Sequence, residues 1–239
     1  MNRLFKLGTA AVALAVIAAC DDNNSTTVSS DAQFEVTVTN LTLAQPLSPA
    51  AVILHRSGYH SFVDGESASN DIEELAEGGD NSGLLASAQA ANQHVASAST
   101  AGPVPPQSRS DSVTLDVPTA ELSDLRVSVV TMLVHTNDAI TGANAFDLSD
   151  MAVGERRIVV GPSWDSGTEA NTETQATMPG PDFGGEGFNA VRDDTIDSVR
   201  IHAGVVTSAS TAFGLATSNL EDRHRFLNPT SRIAISRTR

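Results

Sequence analysis

Lysine is almost missing from this chain; its single example is Lys6. Beyond that point no residue can form a lysine Schiff base, hold pyridoxal phosphate or serve as a P-loop lysine. Positive charge of any kind is scarce: 14 Lys and Arg stand against 29 Asp and Glu, a net charge of −15. Nucleic-acid partners require a basic footprint, so that class of function is excluded. Cysteine is equally rare, with Cys20 alone, and a lone thiol cannot form an internal disulfide. There is no G-x-S-x-G elbow and no H-E-x-x-H pair, which removes the commonest serine-hydrolase and zinc-protease signatures. The one tryptophan, Trp164, reads as a core or loop anchor. No internal repeat is visible.

What is present begins with an export signature. Arg3 and Lys6 precede an apolar stretch, Leu7 to Ala19, that is short for a membrane span and ends in Ile17-Ala18-Ala19-Cys20. Small residues before a cysteine are a lipoprotein cleavage signal. The expectation is a signal peptide over 1–19, cleavage before Cys20 and a lipid anchor on its sulfur; an unpaired thiol in an exported protein otherwise lacks a purpose. Removing Arg3 and Lys6 leaves 12 basic residues against 29 acidic ones, so the charge moves from −15 to −17. Residues 20–32 start Asp-Asp-Asn-Asn-Ser-Thr-Thr after the cysteine and read as a polar tether. Residues 33–239 are long enough for one β-rich domain with its own core.

Periodicity within that domain is mostly that of strands. Phe34, Val36 and Val38 alternate with polar residues, as do Val113, Leu115 and Val117, and later Val199, Ile201, Ala203 and Val205. Ala51 to His55 and Leu125 to Val134 are apolar on both faces, as central strands are. Ile233 and Ile235 mark a terminal strand. One helix is expected over Asn70 to Ala76, capped by Asn70 or Asp71 and stopped by Gly78-Gly79. The Ala- and Ser-rich stretch from Ala86 to Ala101 reads as a helix-then-loop insertion outside the core, and the Gly/Pro cluster from Met178 to Gly187 as a long loop. Many short strands with few helices indicate an all-β antiparallel sandwich with one or two short helices.

Two acidic loops follow strands in the second half. Thr136-Asn137-Asp138 follows the run ending at Val134, and Trp164-Asp165-Ser166-Gly167-Thr168-Glu169 follows Ile158 to Gly161. Carboxylates converging at one end of a sandwich suit Ca²⁺, which takes about six to eight oxygens. Asp138 and Asp165 are the primary candidates, with Glu77 and Glu169 beside them. Each could instead cap a turn through its own backbone. His55, His135 and His202 lie in or beside strands and read as structural histidines. Arginines at 223, 225, 232, 237 and 239 make the C-terminus locally basic, either as counter-charge for an acidic body or as a contact for anionic lipid headgroups.

Eight motifs occur in a recognisable order: Asn40-Leu41-Thr42 with Gln45-Pro46-Leu47-Ser48-Pro49; His55; Gly65-Glu66-Ser67-Ala68-Ser69; Leu75-Ala76-Glu77-Gly78-Gly79; Met132-Leu133 with Thr136-Asn137-Asp138; Asp165-Ser166-Gly167-Thr168-Glu169-Ala170-Asn171; Pro179-Gly180-Pro181; and Ile201-His202-Ala203-Gly204. The chain thereby resembles bacterial spondin-domain proteins, related to the N-terminal domain of F-spondin and mindin. The resemblance implies a β-sandwich like that of calcium-dependent lipid-binding domains, with a Ca²⁺ site built from loops at one end. The family's Pro-Asp-Trp loop matches Asn137-Asp138-Ala139, so the aspartate carries over and the tryptophan does not. Its Asp-Ala-Gly-Thr-Asp loop matches Asp165 to Glu169, and its Leu-Ala-Glu matches Leu75-Ala76-Glu77. The cysteines of eukaryotic members are absent, and their disulfides do not transfer.

The resulting expectation is a non-enzymatic lipoprotein of the cell envelope, on the periplasmic face of the inner membrane or in the outer membrane. It would be anchored through Cys20, bind Ca²⁺ at Asp138, Asp165, Glu77 and Glu169, and present a surface to a glycan or protein partner. The alternatives are a carbohydrate-active hydrolase working with an Asp/Glu pair, or a purely structural envelope protein.

Overall fold

The structure is a computed structural model, describing residues 31–209 and 217–239. The signal peptide, Cys20 and all but the end of the tether fall outside the described residues. Among the described residues, no helix is long and apolar enough to cross a membrane. The elements in chain order are β1 (Ala32–Asn40), β2 (Ala51–His55), α1 (Asn70–Gly78), α2 (Ser82–Ala90), β3 (His94–Ser99), β4 (Val113–Val117), β5 (Arg126–Met132), β6 (Ala139–Asp147), β7 (Arg156–Gly161), β8 (Ser163–Asp165), β9 (Arg200–Ile201) and β10 (Ser231–Arg237). They form two antiparallel sheets, one of order β4-β1-β10-β7 and one of order β3-β2-β5-β6-β8-β9. This is the all-β sandwich that the alternating pattern predicts.

The core lies between the sheets. Phe34, Val36 and Val38 of β1, with Ile233 and Ile235 of β10, face Val52, Leu54, Val127 and Val129 of the larger sheet. A second apolar cluster lies on the other side of that sheet, where Ala51, Ile53, Val130, Ile140 and Trp164 meet Ile72, Leu75 and Ala76 of α1 and Leu84 and Ala88 of α2. Strands β2 and β5 are therefore apolar on both faces because helices cover the face that a two-layer sandwich would leave wet. The first helix starts one residue earlier than the expected caps: Ser69, not Asn70 or Asp71, is the N-cap, and its side chain accepts from Ile72 N. Gly79, at φ 71°, ends it in the left-handed conformation.

Two further segments differ from the pattern. The Ala/Ser stretch contributes α2 and then β3, a sheet strand paired in register from Ala51↔Ser99 to Ile53↔Ser97. Its residues have weak strand propensity, but the open edge of β2 supplies the ladder partner, and tertiary pairing overrides propensity. The alternation from Val199 to Val205 yields only Arg200–Ile201 as strand. Gly204 takes φ 91° and its N–H donates to His202 Nδ1, which turns the chain away from the sheet.

Candidate functional site

The site lies where β5–β6, β8 and β9 end, under the C-terminus of α1. The β5–β6 turn is closed by Thr136, whose hydroxyl donates to Leu133 O at 2.6 Å and accepts from Ala139 N at 3.0 Å. This fixes Asp138 immediately before β6. Strand pairing then sets Ala139 opposite Asp165, and Asp165 opposite Arg200. Two loops distant in sequence are thus locked together by ladder register.

Asp138 is fully buried. Its Oδ2 accepts from Thr168 N at 2.8 Å and from Glu169 N at 3.2 Å, and its carbonyl accepts from the Ser166 hydroxyl at 2.7 Å. Its Oδ1 is buried without a hydrogen-bond partner. Asp165 Oδ1 accepts from Gly167 N at 2.9 Å, and Oδ2 from Asn171 Nδ2 at 2.7 Å. Gly167, at φ 73°, lets the chain fold back here; a Cβ would lie 2.5 Å from Ile196 O and Ser198 N. Ligand oxygens of Asp138, Asp165 and Asp194 come within 4.8 Å of one another. The sequence pattern brings out the first two and misses Asp194. That residue sits in an irregular loop, and its only signal is the Arg192-Asp193-Asp194 run ahead of β9.

The two glutamates form the other side of the site. Glu77, near the end of α1, is 1% exposed; Oε2 accepts from Asn189 N at 2.9 Å, while Oε1 is buried without a partner. Burial pushes its carboxyl up, with the neighbouring Glu73 charge adding to the effect and the Asn189 N–H opposing it. Glu169 is half-buried, and its carboxyl is pushed up to about 8 by burial first and then by the Glu77 and Asp138 charges. Asp138 is raised to about 7 by burial and by the Asp165 charge. Glu169 thus lies within electrostatic reach of both Glu77 and Asp138, and among the described residues no guanidinium donates a hydrogen bond to any of the three. Asp165 and Asp194 differ, because Arg200 Nη2 lies 3.0 Å from Asp165 Oδ1 and 2.6 Å from Asp194 Oδ2.

The residue types and the orphaned oxygens fit a hard divalent cation. Buried carboxylate oxygens without donors are costly, and oxygen-only donors select Ca²⁺ or Mg²⁺ over softer metals.

The Spondin_N family model matches residues 39–182. The chain belongs to the Spondin_N family. That membership indicates a binding, adhesion-type extracellular module. The match runs from the last two residues of β1 past β8, including Glu77, Asp138, Asp165 and Glu169, and ends before Asp194 and Arg200. No curated protein matches the chain.

The remaining candidates take structural positions. His55 is fully buried, its Nε2 2.9 Å from the Ser128 hydroxyl, which also accepts from Ala145 N. Ser128 has no exposed surface, so this serine–histidine contact belongs to the interior of the sheet. His135 Nε2 stands 3.0 Å from Asp182 Oδ2. His202 stacks against Phe226 with ring centroids 5.4 Å apart. Trp164 is buried and meets Phe62 edge-on at 4.8 Å, an anchor and not an open platform. Of the C-terminal arginines, Arg223 pairs with Glu221 and Arg239 with Asp116, the counter-charge arrangement.

Proposed function

We propose that this spondin-type sandwich is a Ca²⁺-stabilised binding module of the cell envelope, exported and held at the membrane by a lipid on Cys20. The observation that carries the ion reading is Asp138: a fully buried carboxylate with one oxygen unpartnered, within 4.8 Å of carboxylate oxygens of Asp165 and Asp194, with Glu169 in electrostatic reach of it and of Glu77, which has the same defect. Asp138 Oδ1, Glu77 Oε1 and the Glu169 carboxyl are the groups that would hold the ion, with Asp165 supporting the loop from the side that Arg200 already neutralises. When bound, Ca²⁺ supplies the missing positive charge and ties α1, the β5–β6 turn and the 165–171 loop into one rigid end. The protein's own residues do the rest. Thr136 and Ser166 fix the Asp138 backbone, Gly167 permits the tight turn, and Asn189 orients Glu77. The stiffened loops then present a surface to a glycan or protein partner.

A ligand that binds only the folded state stabilises it by mass action, about 2.7 kcal/mol at a hundredfold excess over Kd. A thermal melt of the protein in EDTA and then in Ca²⁺ is expected to show a rise of several degrees, lost in Asp138→Asn. An unchanged midpoint for the wild type would remove the ion reading. For the anchor, Cys20→Ala is expected to move the protein from the membrane fraction to the soluble one.

One observation favours a second reading. A carboxyl raised to about 8 beside an acidic neighbour is also what a general acid requires. Turnover on a panel of polysaccharides, abolished by Glu169→Gln, would establish a hydrolase; silence across the panel leaves the binding module.

A further inference from the structure

The guanidinium of Arg200 lies among oxygens of an unusual kind for a surface ion pair. Nη2 contacts Asp165 Oδ1 at 3.0 Å and Asp194 Oδ2 at 2.6 Å. Nη1 donates to the backbone carbonyls of Ile196 at 2.7 Å and Ser198 at 3.1 Å. Two carboxylates and two carbonyls converging on one positive group are the donor set from which a Ca²⁺ site is made. The carbonyls are not placed by chance. The 196–198 segment crosses directly over Gly167, where a Cβ would lie 2.5 Å from Ile196 O and 2.7 Å from Ser198 O. Both carboxylates are well buried, with side chains 5% and 8% exposed, whereas the arginine is 31% exposed and reaches them from the edge strand β9. One carboxylate oxygen of Asp138 lies within 4.8 Å of those of Asp165 and Asp194, and Asp138 Oδ1 is buried and receives no hydrogen bond from Arg200 or any other group.

We propose that the acidic end of this domain contains two adjacent cation seats, and that Arg200 is the built-in occupant of one of them. The Asp165–Asp194–Ile196–Ser198 seat is filled by the guanidinium. The Glu77–Asp138–Glu169 seat is left for a metal ion, and that half of the proposal rests on the ion reading above. Arg200 is then a specificity-determining residue. It sets the stoichiometry at one divalent ion, and its fixed positive charge next door disfavours a second. Removing the charge while keeping the oxygens frees the second seat.

The test is a count of bound ions on the full chain. Calorimetric titration with Ca²⁺ gives the stoichiometry, and Tb³⁺ luminescence gives an independent count, because the only tryptophan, Trp164, directly precedes Asp165 and can sensitise an ion bound there. Wild type is expected to bind one ion, Arg200→Gln two, and Arg200→Lys, which keeps the charge, one. Asp194→Asn placed on top of Arg200→Gln is expected to return the count to one. Should Arg200→Gln not fold, Arg200→Met retains the apolar stem and gives the same readout. An identical count in wild type and in the charge-free variants overturns the two-seat proposal, and so does tighter binding at an unchanged count, which would mean that arginine and metal share one seat. A wild type that binds nothing while Arg200→Gln binds one ion would sink the ion reading and leave the Arg200 assignment standing.

Discussion

Two halves of one acidic cluster, a few ångströms apart, are neutralised in opposite ways. On one side Asp165 and Asp194 share an arginine, and both carboxylate oxygens of Asp165 are met by an N–H or the guanidinium. On the other, Glu77 and Asp138 each keep a buried oxygen with no partner, and Asp138 and Glu169 are pushed up to about 7 and about 8. The difference shows what a protein does with a buried negative charge. It can supply the counter-ion from its own chain, or it can protonate the acid or take up a cation from solution. Glu73 illustrates the first solution again, 4% exposed at its side chain and held by Arg192 at 2.7 Å through Oε2, although its Oε1 is also buried without a partner. Glu173 illustrates the protonated solution: burial raises it to about 7 although both its oxygens accept from Val206 N.

The comparison can be broken at its hinge. Gly167 serves both halves, because its left-handed backbone and missing Cβ let the 196–198 segment close over the Asp165 turn. Gly167→Ala is expected to cost about 3 kcal/mol, from backbone strain and overpacking together, read as a lowered midpoint in urea. It should also weaken ion binding.

Two aspartate substitutions separate the halves. Asp138→Asn should abolish the Ca²⁺-induced rise in Tm, worth about 2.7 kcal/mol at a hundredfold excess. Asp194→Asn should keep that rise while lowering the ion-free midpoint, because Arg200 loses its closest partner. Equal behaviour of the two variants would show that the cluster is a single site.

Asp138, Glu169 and Glu173 have folded-state pKa values above the usual carboxylate range. Between about pH 4 and pH 8 these three carboxyls hold more protons in the folded protein than in the unfolded chain, so the stability they contribute falls as pH rises through this window. In ion-free protein their contribution should be larger near pH 5 than near pH 8, opposed by the buried histidines, which burial holds below their usual range and whose contribution rises with pH. Glu173→Gln should flatten part of that slope, on the order of 2 kcal/mol across the window. Saturating Ca²⁺ should remove the share owed to Asp138 and Glu169 and leave the share owed to Glu173. Denaturant midpoints across the pH range, with and without Ca²⁺, test this.

The smallest effect belongs to the helix that carries Glu77. Ser69→Ala removes the N-cap acceptor for Ile72 N and is expected to cost about 1 kcal/mol. Ion affinity should drop slightly through Glu77, while the Arg200 contacts stay intact.

The legible part of the molecule was the part with short-range periodicity. Alternation at Phe34, Val36 and Val38 specified a strand with one buried face, and the two-sided apolar run at Leu125 to Val134 specified a central one. Asp138 and Asp165 could be placed because each directly adjoins a β-strand. Asp194 and Arg200 could not. The aspartate lies in a segment without strand or helix, and the arginine looked like the polar half of an alternating strand. Strand β3 was equally hidden, since its Ala and Ser residues become a strand only when β2 offers an edge.

The sequence alone determined the all-β class, the apolar faces and two carboxylates at strand ends, because each follows from local pattern or residue type. Tertiary structure alone decided which charges meet. The pairing of β6 with β8 and of β8 with β9 joins residues far apart in the chain, and no local pattern encodes that register. That register gives Asp165 an arginine and leaves Asp138 with a bare oxygen.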